Sequence, residues 1–573
     1  MRGLKKLRRL LFIGLILVLA LGGAWIYWNR PARSDMAIWA PADCLAFAEV
    51  NDLAALAAGV GDLQAWKLLA EPIGAPAKLA PNRLWIFLAR WTGIGSTDAV
   101  LLARAQAAVI FSGAEGSQAG STLTIKPLTT FIIETHTSPG RMRSSVESHI
   151  EKLARRVYPN PSLLRKQQNA IELNEWISAD GSHQIVFSFI DTAVVLGNDE
   201  ASVLRAIETR SGQRPALAGG NALAAARGRV DATGAAVFGF ASQAGVKALL
   251  QAIALNRGTA SGDDVTAAQI FADTIGGVVD KLSWSATFRD GLVEDRCSVV
   301  LATGVGDKLQ SSMVPDRAID LNHFPFVPSD IHSVSFYQFR DLSTFWVDLN
   351  AVISSHTDLI GAIAARPMLR GLLKPYGIDD PDTFVRAVGP RLHTVRFEES
   401  APPVLIAESF DRPALRKAIS QRFGPSSKTE KQDEVEMLLS QDGKWAAAFV
   451  DNYFLIGPVE AVRRSLAAKT QSSALSSNER FRKSQQLVDV SVRMTTLSFT
   501  NDYQSAISFV EAFSDHQRSP FASNAEAINN ATKALPFAVS VSTLKGNDLN
   551  WTSRSAFGLS GSLTVQLIPG ESR

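Results

Sequence analysis

One succession of short motifs runs through this chain twice, and a sequence that repeats itself at a spacing of roughly 250 residues is read first as two like units. Pro41-Ala42-Asp43 precedes an alternating stretch, Cys44 to Val50, after which Asp52-Leu53 opens an Ala/Leu-rich helical pattern. Pro328-Ser329-Asp330, Ile331 to Phe339 and Asp341-Leu342 follow the same order. Phe131-Ile132-Ile133-Glu134-Thr135 is answered by Leu405-Ile406-Ala407-Glu408-Ser409, each ahead of an amphipathic helix. The fullest match sets Ser178-Ala179-Asp180-Gly181, Asp191, Gly197 and Glu200-Ala201 against Ser440-Gln441-Asp442-Gly443, Asp451, Gly457 and Glu460-Ala461. Two homologous units are therefore expected at 41–303 and 328–573, joined by a linker, 304–327, that carries Gly304, Gly306, Pro315 and Pro325. The first copy is the longer, with insertions expected near Gly113–Gly120 and Asn160–Ala170.

Within each unit, Asp-Gly pairs at 180–181, 290–291 and 442–443 predict type I′ turns between antiparallel strands, because both central positions of that turn need a positive φ. Strands such as His183 to Ile190 and Trp445 to Val450 are apolar at most positions, and the helices carry one apolar stripe each. The expected fold is α+β: an N-terminal transmembrane helix, then two units, each a mainly antiparallel sheet with helices packed on one face. Strands and helices do not alternate as in a doubly wound nucleotide-binding sheet.

The N-terminus sets location. Residues 1–9 hold five Arg or Lys, and Leu10 to Trp28 is a run of 19 residues without a charge. That is long enough for a bilayer, which needs about 20. Trp25, Tyr27 and Trp28 supply an interfacial aromatic edge. The reading is a basic cytoplasmic tail (1–9), one membrane anchor (10–28) with its N-terminus inside, and a juxtamembrane linker (29–40), with the large body outside the cytoplasmic membrane. A cleaved signal peptide ending near Gly22-Gly23-Ala24 is the alternative, and it too exports the body.

Composition closes other routes. The formal net charge is +3, but residues 1–34 carry seven basic side chains and no acid, leaving the rest at −4. The body thus lacks the basic footprint of a nucleic-acid partner. Two cysteines, Cys44 and Cys297, exclude a disulfide scaffold or a Cys-rich metal site; they read as one disulfide or, preferably, as two separate buried thiols. No Walker loop occurs, and Gly93-Ile94-Gly95 lacks the third glycine of a dinucleotide fingerprint. The eight histidines (136, 149, 183, 323, 332, 356, 393 and 516) show no metal-ligand spacing, and no Gly-x-Ser-x-Gly elbow is present. Glu134 and Glu408 occupy equivalent positions and suggest a paired acidic site between the units, against the plainer reading of two strand-end carboxylates facing water or favouring a helix N-terminus. Arg141, Arg143, Lys152, Arg155, Arg156, Arg165 and Lys166 form the most basic segment of the body, readable as a headgroup contact or as a solvated helix face broken by Glu147 and Glu151. No catalytic, cofactor-binding or metal-binding residue is expected, and the chain reads as a non-enzyme.

The order of basic tail, single membrane helix, Pro-x-Asp opening, Asp-Leu at the first helix and duplicated α+β body resembles uncharacterised bacterial single-pass cell-envelope proteins with a duplicated domain of unknown function. That resemblance implies no activity. The expected role is binding or scaffolding in the cell envelope, with an envelope protein as partner, the membrane as anchor and no nucleic acid. A carrier of lipid or another hydrophobe is the alternative, and a hydrolase with a dispersed site the third reading.

Overall fold

A computed structural model describes residues 33–72, 105–119, 122–168, 171–257, 272–321, 325–356, 371, 373–378, 380–424, 427–432, 435–468, 474–489, 492–502, 505–507 and 525–559. The expected tail, anchor and start of the linker lie outside these residues, as does Gly93-Ile94-Gly95. Among the described residues no helix is long and apolar enough to cross a membrane.

The N-terminal half carries β1 (Ala46–Val50), β2 (Gln106–Ala119), β3 (Thr122–Glu134), β4 (Ser162–Gln168), β5 (Ile171–Ile177), β6 (Gln184–Ile190), β7 (Ala193–Gly197), β8 (Val237–Ser242), β9 (Val279–Arg289) and β10 (Leu292–Leu301). The C-terminal half carries β11 (Ser333–Gln338), β12 (Val388–Arg396), β13 (Val404–Ser409), β14 (Lys428–Gln432), β15 (Val435–Leu439), β16 (Trp445–Val450), β17 (Tyr453–Pro458), β18 (Thr496–Asn501), β19 (Phe537–Lys545) and β20 (Asp548–Ser555). Every pairing among them is antiparallel. In space the first half runs β4-β5-β6-β7-β3-β2-β1-β8-β9-β10. The second runs β14-β15-β16-β17-β13-β12-β11-β18-β19-β20, the same order strand for strand. β10 pairs with β20, so the two halves form one continuous α+β sheet.

The helices are α1 (Leu53–Asp62), α2 (Gln64–Leu69), α3 (Pro139–Val157), α4 (Glu200–Arg210), α5 (Asn221–Arg229), α6 (Gln243–Arg257), α7 (Val305–Met313), α8 (Leu342–His356), α9 (Pro381–Ala387), α10 (Arg412–Ala418), α11 (Ser420–Phe423), α12 (Val459–Ala467), α13 (Glu479–Gln485) and α14 (Ala525–Ala534). They cover both faces of the sheet, which corrects the expectation of a single covered face. On β6, Val186 packs with Val203 and Ala206 of α4, while its neighbour Phe187 packs with Ile150 and Ala154 of α3 on the other side. On β13, Ile406 packs with Val462 of α12, whereas Leu405 and Ala407 pack with Phe384 of α9 and Leu415 of α10. Successive strand residues point to opposite faces, so strands apolar at nearly every position signal burial on both.

The repeated motifs are local devices that place these elements. Asp52 caps α1 by accepting from Ala55 N–H at 2.9 Å, and Asp341 caps α8 by accepting from Thr344 N–H at 2.9 Å. The aspartates of the two Pro-x-Asp openings clamp the helix that follows the fourth strand of each meander: Arg205 of α4 donates to Asp43 at 2.8 Å and Arg464 of α12 to Asp330 at 2.6 Å. Both Ser-x-Asp-Gly turns close alike, with Ser178 donating to Asp180 and Ser440 to Asp442, each at 2.6 Å. Only Asp290-Gly291 has the two positive φ angles of a type I′ turn, 54° and 75°. At 180–181 and 442–443 the glycine alone is left-handed, φ 69° and 67°, because the aspartate is occupied in gathering the Ser hydroxyl and the following amide. Extra length in the first half lies in the β2–β3 hairpin, as expected near Gly113, and in α3. The β4–β5 hairpin near Asn160–Ala170 is no insertion, since β14–β15 matches it.

Candidate functional site

The site with most built-in structure is the seam where β10 meets β20. Its register pairs Val293 with Ser555, Arg296 with Thr552 and Val299 with Leu549, so equivalent strands meet about a local two-fold centred on Arg296 and Thr552. The covering helices cross it reciprocally. Ala65 and Leu69 of α2 pack with Ile528 of α14 and with Ala556 and Phe557, and Val352 of α8 packs with Val278, Val305 and Leu309. Gly306 admits the backbone of the other half closely: a Cβ there would lie 2.1 Å from the Gly546 carbonyl oxygen.

On one face of the seam Glu294 is buried and gripped from both halves. Arg296 donates to it at 2.9 Å and Arg554 at 2.8 Å. Burial works to raise its pKa, but the two guanidiniums outweigh that and hold it below the ordinary glutamate value. Arg296 also reaches Asp231 at 2.8 Å, and Arg229 meets Asp548 at 3.1 Å across the halves. Above this floor opens a groove of about 400 Å³, walled by Leu487, Asp489 and Val492 and floored by Val541, Thr552 and Arg554. On the opposite face Asp295 accepts from Trp284 Nε1 and from Leu559 N–H, both at 2.9 Å; burial pushes its pKa up despite these bonds. The groove thus presents guanidiniums balanced by carboxylates, together with hydroxyls and apolar side chains. One signal in the sequence could have marked the spot, namely Glu294-Asp295-Arg296 inside an otherwise apolar strand.

Glu134 and Glu408 are not brought together. Each lies at the end of its strand, β3 or β13, with the ten strands between them forming the middle of the sheet. Neither faces open water as a free strand-end carboxylate. Glu134 accepts from Thr192 Oγ1 and from His136 N–H, and Glu408 accepts from Arg391. Beside Glu408 lies a cavity of about 50 Å³, lined by Phe336, His393 and Tyr453 among others.

Cys44 and Cys297 are free thiols, the first buried and the second half-buried; burial pushes their pKa up to about 12 and about 11, which keeps both protonated and inert. Among the described residues no cluster of three His, Cys, Asp or Glu is placed to hold a metal ion. Among the described residues Ser182 meets the His183 ring at 2.6 Å and Ser355 the His356 ring at 3.0 Å. Asp180 accepts the Ser182 proton at 2.7 Å and the Val352 carbonyl that of Ser355 at 2.9 Å, so neither hydroxyl offers its proton to the imidazole as a nucleophile must. The basic segment is also partly neutralised: Arg155 pairs with Glu151, Arg143 with Glu172, and Lys166 with Glu175 and Glu200.

No protein-family profile and no curated protein matches the chain. A solved structure described as "Structure of crystal form I of TP0453" aligns with 43% of this chain and 96% of its own, at 9% identity and a TM-score of 0.21. At that score the likeness carries no argument about this fold.

Proposed function

We propose that this is a membrane-anchored, exported, non-enzymatic protein of the bacterial cell envelope that binds a partner protein in the groove at the seam of its two halves. The groove supports this reading: about 400 Å³, formed by residues from both halves, it is lined in part by the buried Glu294 and the two half-exposed arginines, one from each half, that hold it. The run from Leu10 to Trp28 supports the anchor and the basic residues before it support an N-terminus held inside. The like strand orders of the two halves support descent from a tandem duplication, with units at 41–303 and 328–573. The lipid-carrier reading draws less support, because the seam groove sets the charged side chains of Glu294, Arg296, Asp489 and Arg554 among its apolar ones, whereas a hydrophobe calls for a mostly apolar lining.

Photocrosslinking in intact cells tests the proposal. A photoreactive residue at Val492, in the groove, should capture a discrete envelope protein, whereas one at the exposed Val347 of α8 should not. Equal capture at both positions, or capture of nothing but lipid and abundant porins, would dismiss the groove as a binding site. Topology reporters fused after residue 573 report on the anchor, and cytoplasmic activity would dismiss it.

A further inference from the structure

The sheet ends in two equivalent strands, β4 and β14, each paired on one side only among the described residues. An edge strand of this kind presents unpaired N–H and C=O groups and is an invitation to strand addition unless it is blunted. The edge at β14 is blunted: Lys428-Thr429-Glu430-Lys431-Gln432 carries both charges, and Arg463 forks onto Glu430 at 2.9 and 2.8 Å. At β4, Ser162-Leu163-Leu164-Arg165-Lys166-Gln167-Gln168, all seven residues are exposed, with Leu163 at 39% and Leu164 at 43%.

We propose that the outer edge of β4 docks an extended acidic segment of another protein, which joins the sheet as an added strand. The register puts Leu163 beside Trp176 and Arg165 beside Asn174, so Leu163 and Arg165 share the face that α3 covers; Arg155 of α3 stacks on Trp176 at 5.5 Å. On the other face Lys166 is already held by Glu175 and Glu200, both at 3.0 Å, whereas Arg165 makes no ion pair among the described residues. An incoming strand therefore meets an apolar side chain and, two residues on, a guanidinium that no carboxylate neutralises among the described residues. Its best complement alternates apolar and acidic residues on that face. A second copy of this chain fits poorly, because β4 against β4 sets its Arg-Lys pair near the same pair. An anionic bilayer matches the leucines and the charge but has no groups to satisfy the strand's backbone. This surface is separate from the seam groove, so either assignment stands without the other.

The test uses the full-length chain in detergent micelles and a fluorescein-labelled eight-residue peptide, Val-Thr-Glu-Thr-Val-Thr-Glu-Thr, whose valines and glutamates alternate along one face. Saturable binding is expected, with hydrogen exchange slowed about tenfold in residues 162–168 and unchanged in 428–432. Arg165→Glu should weaken binding about tenfold, Arg165→Lys should largely retain it, and Leu163→Thr with Leu164→Glu, an edge as polar as β14, should abolish it. All these positions are exposed, so melting temperatures should match the parent and certify the fold. Absence of binding, equal binding of a valine–lysine peptide, or exchange unchanged at β4 would overturn the proposal. Phosphatidylglycerol vesicles that bind in an Arg165-dependent way while the peptide fails would reassign the edge to lipid.

Discussion

The two halves share a skeleton and differ in what they expose and bury at matching points. Both use the same caps, the same Asp–Arg clamps and the same Ser-x-Asp-Gly turns. Yet Glu134 is met by a threonine and Glu408 by an arginine; the residue after β8 is Gln243, bonded to the Gly276 carbonyl, while after β18 it is the buried Asp502. Devices that set backbone geometry are kept because their loss costs the fold directly, whereas side chains at edges and strand ends are free to diverge into separate roles.

The hardest blow to this comparison is to empty one core. Phe187→Ala in the first half and Phe454→Ala in the second, both deeply buried, should each cost about 3–5 kcal/mol. Calorimetry should still show one transition for either variant, because the seam makes the sheet continuous; two resolved transitions would mean that the halves are independent. Next comes the seam itself. Arg554→Ala leaves buried Glu294 with Arg296 as its remaining arginine and should cost about 2–3 kcal/mol in denaturant unfolding. Because the folded pKa of Glu294 lies below its ordinary 4.5, its stabilisation is present above that pH and is lost as pH falls through the folded value. The variant should therefore lose stability at a higher pH than the parent.

Asp502 sharpens the contrast with Gln243. Burial is the largest influence on it, outweighing the bond from Ala556 N–H and the charge of Arg480, and lifts its pKa to about 6 from 3.8. A raised acid binds its proton more tightly in the folded state, so its contribution is full below 3.8 and is lost as pH rises through about 6. Asp502→Asn should flatten that slope and stabilise the protein at pH 7 by about 1–3 kcal/mol, read from melts across the pH range. The smallest effect tests equivalence most closely. Ser178→Ala and Ser440→Ala each remove a hydroxyl that both donates to the turn aspartate and accepts from a following amide, at 3.0 and 2.9 Å. The losses should be equal, at about 1 kcal/mol each; unequal losses would show that the turns serve different ends.

Much of the fold was readable from residues. The alternating runs, the Asp-Leu caps and the Ser-x-Asp-Gly turns mark antiparallel strands and helix starts through short-range hydrogen bonding, which a local sequence encodes. The face assignment misled because the helices' single stripes say only that each packs on something, while the nearly unbroken apolar runs of β6 and β16 say that both sides of the sheet are covered. The site was less legible. Glu134 and Glu408 drew attention by being equivalent, but equivalence in a repeat places residues at matching points of two halves, not side by side. Only residues near the two-fold meet their counterparts, and Glu294, Arg296 and Arg554 had no spacing motif to reveal them.

The sequence by itself determined that the unit occurs twice, that its strands run antiparallel and where its turns fall, since each depends on neighbours a few residues apart. Tertiary structure alone decided that β10 seeks β20, that α2 and α8 reach across to the other half, and that Glu294 is neutralised by an arginine from a distant strand. Pairing between strands so remote is chosen by which edges and apolar faces remain uncovered once the local elements have formed, and no short stretch of chain carries that information.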